Sequence, residues 1–329
     1  MLTGDMKMLP VVVTLVLAQA APAPAPPVAR EIAPDTYLLP GAMLPNRGPD
    51  GNTVVLSAPA GLIVVDTGRH AWHSDGILAF ARSRRAPVAA IINTHWHLDH
   101  SSGNGRIKAA YPEAKTYTTR AVDRALAPGG FLAKNAAAAR SRPADPNENA
   151  LRREETQIFL ATMDASDALR ADAPVERSGP MTIAGRLLSL RVAANAVTDA
   201  DLWLYDEATS VAVIGDLVTL PAPFFETACP ARWQGALDEV WATPFRIAVP
   251  GHGPVMSRAE FDTYRKAFGS FRTCVGSENA PGVCAANWTK EVGVFLAVDS
   301  DRRQATEYAS YYVDFLRKGG GSSADCQAK

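Results

Sequence analysis

The chain has 329 residues, of which 47% are hydrophobic and 20% are charged, and its formal net charge is −1. A chain of this size and composition can bury a large core, as one large domain or as two smaller ones. The near-neutral charge and the absence of a long basic run argue against a nucleic-acid partner, which needs a clustered Lys/Arg surface.

The N-terminus has the features of an export signal. Residues 9–17 form a short apolar core, and Ala18-Gln19-Ala20 fits the small-residue cleavage rule. The apolar run is too short to span a bilayer, so we expect no stable membrane insertion; a tethering signal anchor is the alternative. We therefore predict a signal peptide over residues 1–20, a flexible Ala/Pro linker over residues 21–32, and a periplasmic or secreted protein.

Two blocks of short β-strands are predicted in the remaining chain, which we expect to form one domain over residues 33–318. Short apolar runs predict these strands. In the first block the predicted strands are residues 53–56, 62–65 and 88–92, with a helix over residues 74–84. In the second block the predicted strands are residues 187–192, 202–205, 211–214 and 246–249.

A helical insertion over residues 121–180 is predicted between the two blocks. Residues 121–170 are rich in Ala, Arg and Glu, and Gly129-Gly130 and the prolines in residues 143–146 break the helical pattern. The insertion contains no recognisable motif. The sequence therefore leaves open the shape of the substrate pocket and the identity of the substrate.

A capped helix is predicted near the C-terminal end of the domain, because Ser257 and Glu260 form a capping box. Aromatic residues follow at helical spacing and are predicted to lie in the core: Phe261, Tyr264, Phe268 and Phe271. A last amphipathic helix is predicted over residues 303–317. Residues 319–329 are predicted to be a loose tail unless Cys326 attaches it.

The four cysteines are consistent with an exported protein, since disulfides persist in oxidising compartments. Cys274 and Cys284 bracket a short loop and could form a local disulfide, which would leave Cys229 and Cys326 to pair. Four cysteines allow three connectivities, and the sequence does not choose among them. A free or metal-binding Cys229 is a further alternative.

Four potential metal ligands lie within six residues, directly after the apolar run of residues 88–92. They are His95, His97, Asp99 and His100. In an extended segment, residues two apart point to the same side, so His95 and His97 can face one ion. The Asp99-His100 pair can then turn towards a second position. Imidazole and carboxylate groups suit zinc and related divalent ions.

Three more polar residues follow predicted strands at points where the chain can bend. Asp66 follows residues 62–65, Asp216 follows a glycine, and His252 follows another glycine. Glycine lets the backbone turn sharply, so that the next acid or imidazole projects from the strand end. Each of these residues alone is more typical of a turn or loop. Their order, together with the first motif, indicates a shared site.

This ordered set resembles the metallo-β-lactamase superfamily over residues 33–271. The resemblance implies an α+β fold, a four-layer αββα sandwich of two mixed sheets with helices outside. It also implies two metal positions: the first takes His95, His97 and a third histidine, the second takes Asp99, His100 and His252, and Asp216 bridges them. Asp66 would orient the first motif.

The first metal position departs from the family's pattern. Aligning Thr198 and Asp201 with the family's segment places Val197 where the third histidine belongs. Valine cannot bind a metal. We therefore expect this position to lack a ligand unless Asn195, Asp199 or Asp201 compensates.

The predicted function is that of an exported metal-dependent hydrolase acting on a small molecule, with one or two zinc ions or another divalent metal. A bound metal lowers the pKa of water to about 7, so metal-bound hydroxide can attack an ester, lactone, thioester or related bond. Asp99 and Asp216 are the predicted catalytic residues. The resemblance argues against a true zinc β-lactamase, since those enzymes do not use the bridging acid.

Two alternatives to this function stay open. The missing third histidine motivates a non-catalytic derivative that binds a metal or another ligand. The other alternative is an intact two-metal hydrolase, including one with β-lactamase-like activity, whose third ligand lies elsewhere than Val197.

Overall fold

The computed structural model describes residues 24–143, 145 and 147–327. The signal peptide predicted over residues 1–20 lies outside the described residues. The strands are β1 (Arg30–Ala33), β2 (Thr36–Leu39), β3 (Thr53–Ala58), β4 (Gly61–Val65), β5 (Val88–Ile92), β6 (Lys115–Thr118), β7 (Ala173–Pro174), β8 (Gly179–Ile183), β9 (Arg186–Ala194), β10 (Ala200–Asp206), β11 (Val211–Thr219), β12 (Ile247–His252) and β13 (Met256–Ser257). The helices are α1 (Ala71–Arg84), α2 (Leu98–Ser101), α3 (Asn104–Ala110), α4 (Ala121–Leu126), α5 (Phe131–Ser141), α6 (Ala150–Asp164), α7 (Pro230–Ala242), α8 (Arg258–Val275), α9 (Pro281–Glu291), α10 (Asp299–Lys318) and α11 (Ala324–Gln327).

The strands form two mixed sheets. Sheet I has the strand order β1-β2-β3-β4-β5-β6-β7, and sheet II has the order β13-β12-β11-β10-β9-β8. In sheet I, β1 to β4 pair antiparallel and β4 to β7 pair parallel. In sheet II, β11 and β12 are parallel and the other described pairs are antiparallel. Each sheet therefore contains neighbouring parallel strands whose C-terminal ends lie at the same edge, among them β4 and β5 in sheet I and β11 and β12 in sheet II.

Apolar side chains on both faces of the central strands determine the layering. In β3, Val54 lies in the core between the sheets, while its neighbour Val55 lies in an outer cluster with Ile77 of α1. In β10, Leu202 lies in the core between the sheets, while Trp203 lies in an outer cluster. Successive strand residues point to opposite faces, so continuous apolar runs require cover on both sides.

Helices provide this cover on the outer faces. α1 and α3 pack on sheet I through Ile77 and Ile107. The outer cluster of sheet II contains residues of α7, α8, α9 and α10, among them Trp233, Phe268 and Trp288. The predicted α+β fold, a four-layer αββα sandwich, is thus confirmed. The predicted capping box between Ser257 and Glu260 starts α8.

The structure differs from the sequence interpretation at two boundaries. β1 begins at Arg30, inside the segment interpreted as flexible up to residue 32, because it pairs with β2 and Ile32 packs against the core between the sheets. The insertion predicted over residues 121–180 contains α4 to α6 and a 3₁₀ turn that ends at Leu169. β7 and the start of β8 occupy its last residues, because they complete the edges of the two sheets.

Two disulfides hold the C-terminal part of the chain, Cys229–Cys326 and Cys274–Cys284. The connectivity is therefore the one with a local loop, and Cys229 is neither a free thiol nor a metal ligand. Cys326 lies in α11, so the tail is attached beside the start of α7. Within the described residues, no helix is long and apolar enough to cross a membrane.

Candidate metal centre

The predicted ligands meet at one edge of the sandwich, where β4 and β5 of sheet I and β11 and β12 of sheet II end. Two backbone hydrogen bonds join the loops of the two sheets across this edge. The Leu202 N–H donates to the Thr94 carbonyl at 2.6 Å, and the Asn52 N–H donates to the Gly251 carbonyl at 2.7 Å. Backbone hydrogen bonds therefore hold the ligand-bearing segments of the two sheets against each other.

Four ligand atoms converge in a group that we call the four-ligand cluster, formed by Asp99, His100, Asp216 and His252; they lie within 4.8 Å of one another. His100 Nε2 lies 3.1 Å from Asp216 Oδ1 and 3.3 Å from His252 Nε2. His252 Nε2 lies 2.9 Å from Asp99 Oδ2. Two imidazole nitrogens that face each other and two carboxylates form a site for a shared cation.

A second group, the three-ligand cluster, contains His95, His97 and Asp216. His95 Nε2 lies 3.6 Å from Asp216 Oδ2, and the ring centroids of His95 and His97 are 4.5 Å apart. Asp216 faces the four-ligand cluster through Oδ1 and the three-ligand cluster through Oδ2. This is the position that a bridging carboxylate needs.

Asp66 controls the hydrogen bonding of His95 and His100. Asp66 Oδ2 accepts hydrogen bonds from Thr94 Oγ1 and from His100 Nδ1, both at 2.8 Å. Because the Thr94 hydroxyl proton goes to Asp66, the Thr94 oxygen accepts from His95 Nδ1 at 3.0 Å. Both imidazoles therefore carry a proton on Nδ1 and direct Nε2 towards the cluster, as a metal ligand requires.

His97 is held in the opposite orientation by Thr227. The Thr227 hydroxyl donates to the Val197 carbonyl at 2.8 Å, so its oxygen accepts from His97 Nε2 at 3.1 Å. His97 then has Nδ1 free for a ligand bond. The sequence gives no signal for Thr227, because it lies 130 residues from His97 and belongs to no motif.

Val197 is buried in the outer core of sheet II, with 1% of its surface exposed. Its N–H donates to Asp201 Oδ2 at 2.9 Å, so Asp201 caps this turn. Asp199 instead accepts a hydrogen bond from Arg124 Nε at 2.6 Å. Neither acid belongs to a ligand cluster of the described residues. The three-ligand cluster therefore lacks a replacement carboxylate for the third histidine.

Burial and charge divide the four histidines into two pairs. Burial lowers the pKa of His95 far below its usual value and that of His97 to about 4, so both are neutral near pH 7. Burial acts in the same direction on His100 and His252, but the charges of the two cluster acids outweigh it and raise the pKa of both. The pKa of each acid is lowered in turn, because these two imidazoles outweigh the effect of burial.

The residues present fit a divalent metal. One buried atom at the centre of the site, His95 Nε2, has no hydrogen-bond partner among the described residues. An unpaired buried lone pair is costly, and His95 belongs to the three-ligand cluster. Imidazole nitrogen and carboxylate oxygen are ligands that zinc and similar ions prefer. The four-ligand cluster can hold one ion, and the three-ligand cluster offers a weaker second position.

The loop that carries His252 is fixed by two neighbouring residues. A Cβ at Gly251 would overlap the Asp216 carboxylate, so only glycine allows this close approach. Asn52 Nδ2 donates to the carbonyls of Pro250 and Gly253, both at 3.0 Å. All six predicted ligands thus lie in the two clusters, and Asn52, like Thr227, supports them without a signal in the sequence.

A buried ion network beside the metal centre links α6 to the sandwich. His70 Nδ1 lies 2.8 Å from Asp50 Oδ2, and His70 Nε2 lies 2.8 Å from Glu155 Oε1 of α6. Two ionised carboxylates can only accept, so the imidazole donates from both nitrogens and carries a positive charge. Arg69 Nε also donates to Glu155 Oε2, at 2.9 Å. We call these four residues the His70 clasp.

Comparison of the sequence with known protein families tests the resemblance to the metallo-β-lactamase superfamily. The profile of the family described as the metallo-beta-lactamase superfamily matches residues 47–252, a range that contains all the predicted ligands. This chain belongs to the metallo-β-lactamase superfamily. The fold observed above is the one that its structural neighbours share.

Individual relatives are more distant. The chain is 27% identical over 235 residues to a linear primary-alkylsulfatase of Pseudomonas sp. (strain ATCC 19151), covering 63% of this chain and 42% of that protein. The chain thus spans less than half the length of this curated relative. Among solved structures it resembles a metallo-β-lactamase from Pontibacter korlensis (15% identity, TM-score 0.53, 73% of this chain and 98% of that one). It also resembles the sec-alkylsulfatase Pisa1 from Pseudomonas sp. (16% identity, TM-score 0.57, 88% and 50%).

Loss of His100 is expected to lower bound zinc more than loss of His95. His100 belongs to the four-ligand cluster, whereas His95 belongs to the cluster that lacks a ligand. Zinc content after dialysis, measured by mass spectrometry of the metal, should fall further in His100→Ala than in His95→Ala. His73→Gln, a buried histidine outside both clusters, should keep wild-type zinc. Equal losses of zinc in His100→Ala and His95→Ala would contradict the expectation that the four-ligand cluster binds zinc more tightly than the three-ligand cluster.

Removal of the Thr227 hydroxyl is expected to weaken zinc binding at the three-ligand cluster. Thr227→Val keeps the shape but leaves His97 Nε2 without its acceptor. Partners of metal-binding histidines typically contribute a factor of roughly 10 to 100 in affinity. Zinc titration against a competing chelator should show a weakening of about this size in Thr227→Val and little change in Thr227→Ser. Unchanged binding in both variants would mean that Thr227 does not orient His97.

The His70 clasp predicts a dependence of stability on pH. Burial would lower the pKa of His70, but its hydrogen bonds to Asp50 and Glu155 outweigh burial and raise it. Protonated His70 therefore stabilises the folded protein. Its contribution is complete below the pKa of histidine in the unfolded chain, about 6.5, and is lost as pH rises through the raised pKa of His70 in the folded protein. Urea denaturation should show that the difference in unfolding free energy between wild type and His70→Gln shrinks as pH rises above about 6.5. A constant difference would show that His70 is not charged in the folded protein.

Proposed function

We propose that the protein is an exported, zinc-dependent hydrolase that cleaves an ester, lactone, thioester or related bond in a small molecule. The observation that carries this proposal is that three members of the four-ligand cluster, Asp99, Asp216 and His252, line an apolar cavity. Two disulfides support export to the periplasm or the exterior, because such bonds persist in oxidising compartments.

The cavity beside the cluster has a volume of about 390 Å³, in the lower part of the range typical of small-ligand pockets. Asp99, Asp216 and His252 are among its lining residues. Its walls include the side chains of Trp96, Phe131, Phe159, Phe224, Tyr308 and Tyr312. A small molecule in this cavity would have its reactive bond beside the ligand cluster and the rest of its surface against apolar walls.

The chain's own groups have complementary roles in such a reaction. When bound, a divalent ion supplies an activated water and polarises an oxygen of the bond to be cleaved. Asp99, His100, Asp216 and His252 would hold the ion, and Asp66 keeps one imidazole oriented. The carboxylates of Asp99 and Asp216 are ionised, so they can also accept the proton of the attacking water. The apolar walls exclude bulk water from the reacting bond.

One observation favours a second candidate, the hydrolysis of an alkyl sulfate ester. A curated relative is named a linear primary-alkylsulfatase, and a structural neighbour is named a sec-alkylsulfatase. The cavity could hold an alkyl chain in either case. The two candidates differ in charge, since a sulfate monoester brings a negative charge to the ligand cluster and a carboxylic ester does not.

Metal-dependent hydrolysis is the direct test of this proposal. Zinc-loaded protein should hydrolyse simple p-nitrophenyl esters or lactones, lose this activity in chelator, and regain it when zinc is added. Asp216→Asn should lower kcat by roughly 100-fold or more, because a positioned acid–base group contributes at least this factor. Asp167→Asn, whose side chain is 99% exposed, is the matched control and should be unaffected. Zinc-bound protein with no activity towards esters, lactones or thioesters would instead support the non-catalytic alternative.

A further inference from the structure

The cavity beside the four-ligand cluster has two aromatic walls that meet at His97. On one side, the Phe224 ring centroid lies 5.2 Å from that of His97 and 6.3 Å from that of Tyr312. On the other side, the Trp96 centroid lies 4.7 Å from that of His97 and 5.5 Å from that of Phe131. A group held between these walls gains chiefly from the burial of apolar surface.

Helices outside the two sheets supply part of these walls. Phe131 belongs to α5 and Phe159 to α6. Tyr308 and Tyr312 belong to α10, which lies beyond the residues that match the family profile. Part of the cavity is therefore shaped by residues that the family profile does not cover.

The charge of the lining excludes some substrates. Among the described residues, Arg69 is the one arginine or lysine that lines the cavity. Arg69 Nε donates to Glu155 Oε2 at 2.9 Å, and a terminal nitrogen donates to the Glu155 carbonyl at 3.3 Å, so its charge is already balanced. A single divalent ion would likewise be balanced by Asp99 and Asp216. A negatively charged group inside this cavity would therefore lose hydration without gaining an unpaired cation.

A second cavity, of about 870 Å³, adjoins the first and has a different character. It shares Met43, Pro49, Arg69 and Tyr308 with the apolar cavity, and its other lining residues are mostly charged or polar. The apolar cavity is therefore bordered by a polar one.

We propose that the substrate is a neutral carboxylic ester or lactone whose apolar acyl chain fills the aromatic cavity, an inference that depends on the hydrolase function proposed above. The bond between the acyl carbon and the ester oxygen breaks, and an oxygen from water bonds to that carbon. One proton of the water passes to the leaving alkoxide. The products are a carboxylic acid and an alcohol, or a hydroxy acid from a lactone.

The first arm of the test is a series of p-nitrophenyl esters with acyl chains of increasing length, compared with p-nitrophenyl sulfate, dodecyl sulfate and nitrocefin. With zinc-loaded wild-type protein, kcat/KM should rise roughly threefold to fourfold per added methylene group until the cavity is full, and then fall. The three anionic compounds should be the poorest substrates. A profile that is flat with chain length, or a preference for either sulfate, would overturn the proposal.

The second arm changes the wall at Phe159, which is only partly buried. Phe159→Ala should move the optimum to longer acyl chains, and Phe159→Trp should move it to shorter ones, mainly through KM. Phe80→Ala is the matched control, because this partly buried phenyl of α1 packs against the outer cluster of sheet I, does not line the cavity, and should leave the optimum unchanged. Opposite shifts in two variants exclude a general loss of folding as the cause. An unchanged optimum in both variants would show that the acyl chain binds elsewhere.

The third arm separates failure of this inference from failure of the hydrolase proposal. N-methyloctanamide, an uncharged amide that carries an octanoyl chain and resists hydrolysis, should raise the Tm of the zinc-loaded protein more than octyl sulfate does, and Phe159→Trp should reduce the shift. If no ester is hydrolysed but the neutral amide still gives the larger Tm shift, the proposed hydrolase function is wrong and the preference for a neutral, apolar ligand is supported. If octyl sulfate gives the larger shift, the neutral ligand class is wrong whatever the activity.

Discussion

The buried carboxylate of Asp66 is the interaction on which the metal centre depends. Asp66 follows β4 at φ +60°, a backbone conformation that residues other than glycine rarely adopt. Its Oδ1 accepts the Thr94 N–H at 2.8 Å, while its Oδ2 accepts from the Thr94 hydroxyl and from His100. One carboxylate thus fixes the start of the ligand loop and the direction of two imidazoles, because Thr94 in turn orients His95. The strain at this residue is offset by a fully satisfied hydrogen-bond set.

The parts of the site that follow strands could be predicted from the sequence. Strands covered on both faces are continuous apolar runs, and the polar residues that end them stand out. Supporting residues could not be predicted, since their partners are distant and individually common. Thr227 lies 130 residues from His97, and Glu155 lies 85 residues from His70. A single hydrogen bond between such residues leaves no local pattern, so only the fold reveals it.

The distinction between local sequence patterns and contacts of distant residues also explains which parts of the fold could be predicted. The central strands were predicted because their buried faces leave a strong apolar signal, whereas the edge strands have a weaker one. β7 has two residues, and it exists because β6 offers a parallel partner rather than because its own sequence favours a strand. The disulfide pairing also became clear only from the structure, since spacing alone left three connectivities open. Tertiary partners, not local propensity, determine these features.

The buried lone pair on His95 Nε2 favours a three-ligand cluster that binds something rather than one that stays empty. A buried polar atom without a partner costs about 1–3 kcal/mol, and His95 Nε2 is such an atom among the described residues. A cluster that bound nothing would bear this cost, while apolar side chains of similar shape would avoid it. Because Val197 stands where a third histidine would bind, the cluster would hold an ion through His95, His97 and Asp216 alone. The cluster is therefore suited to a weakly held second ion or to a hydrogen-bonding group of the substrate, and either would satisfy His95 when the reactive bond enters the cavity.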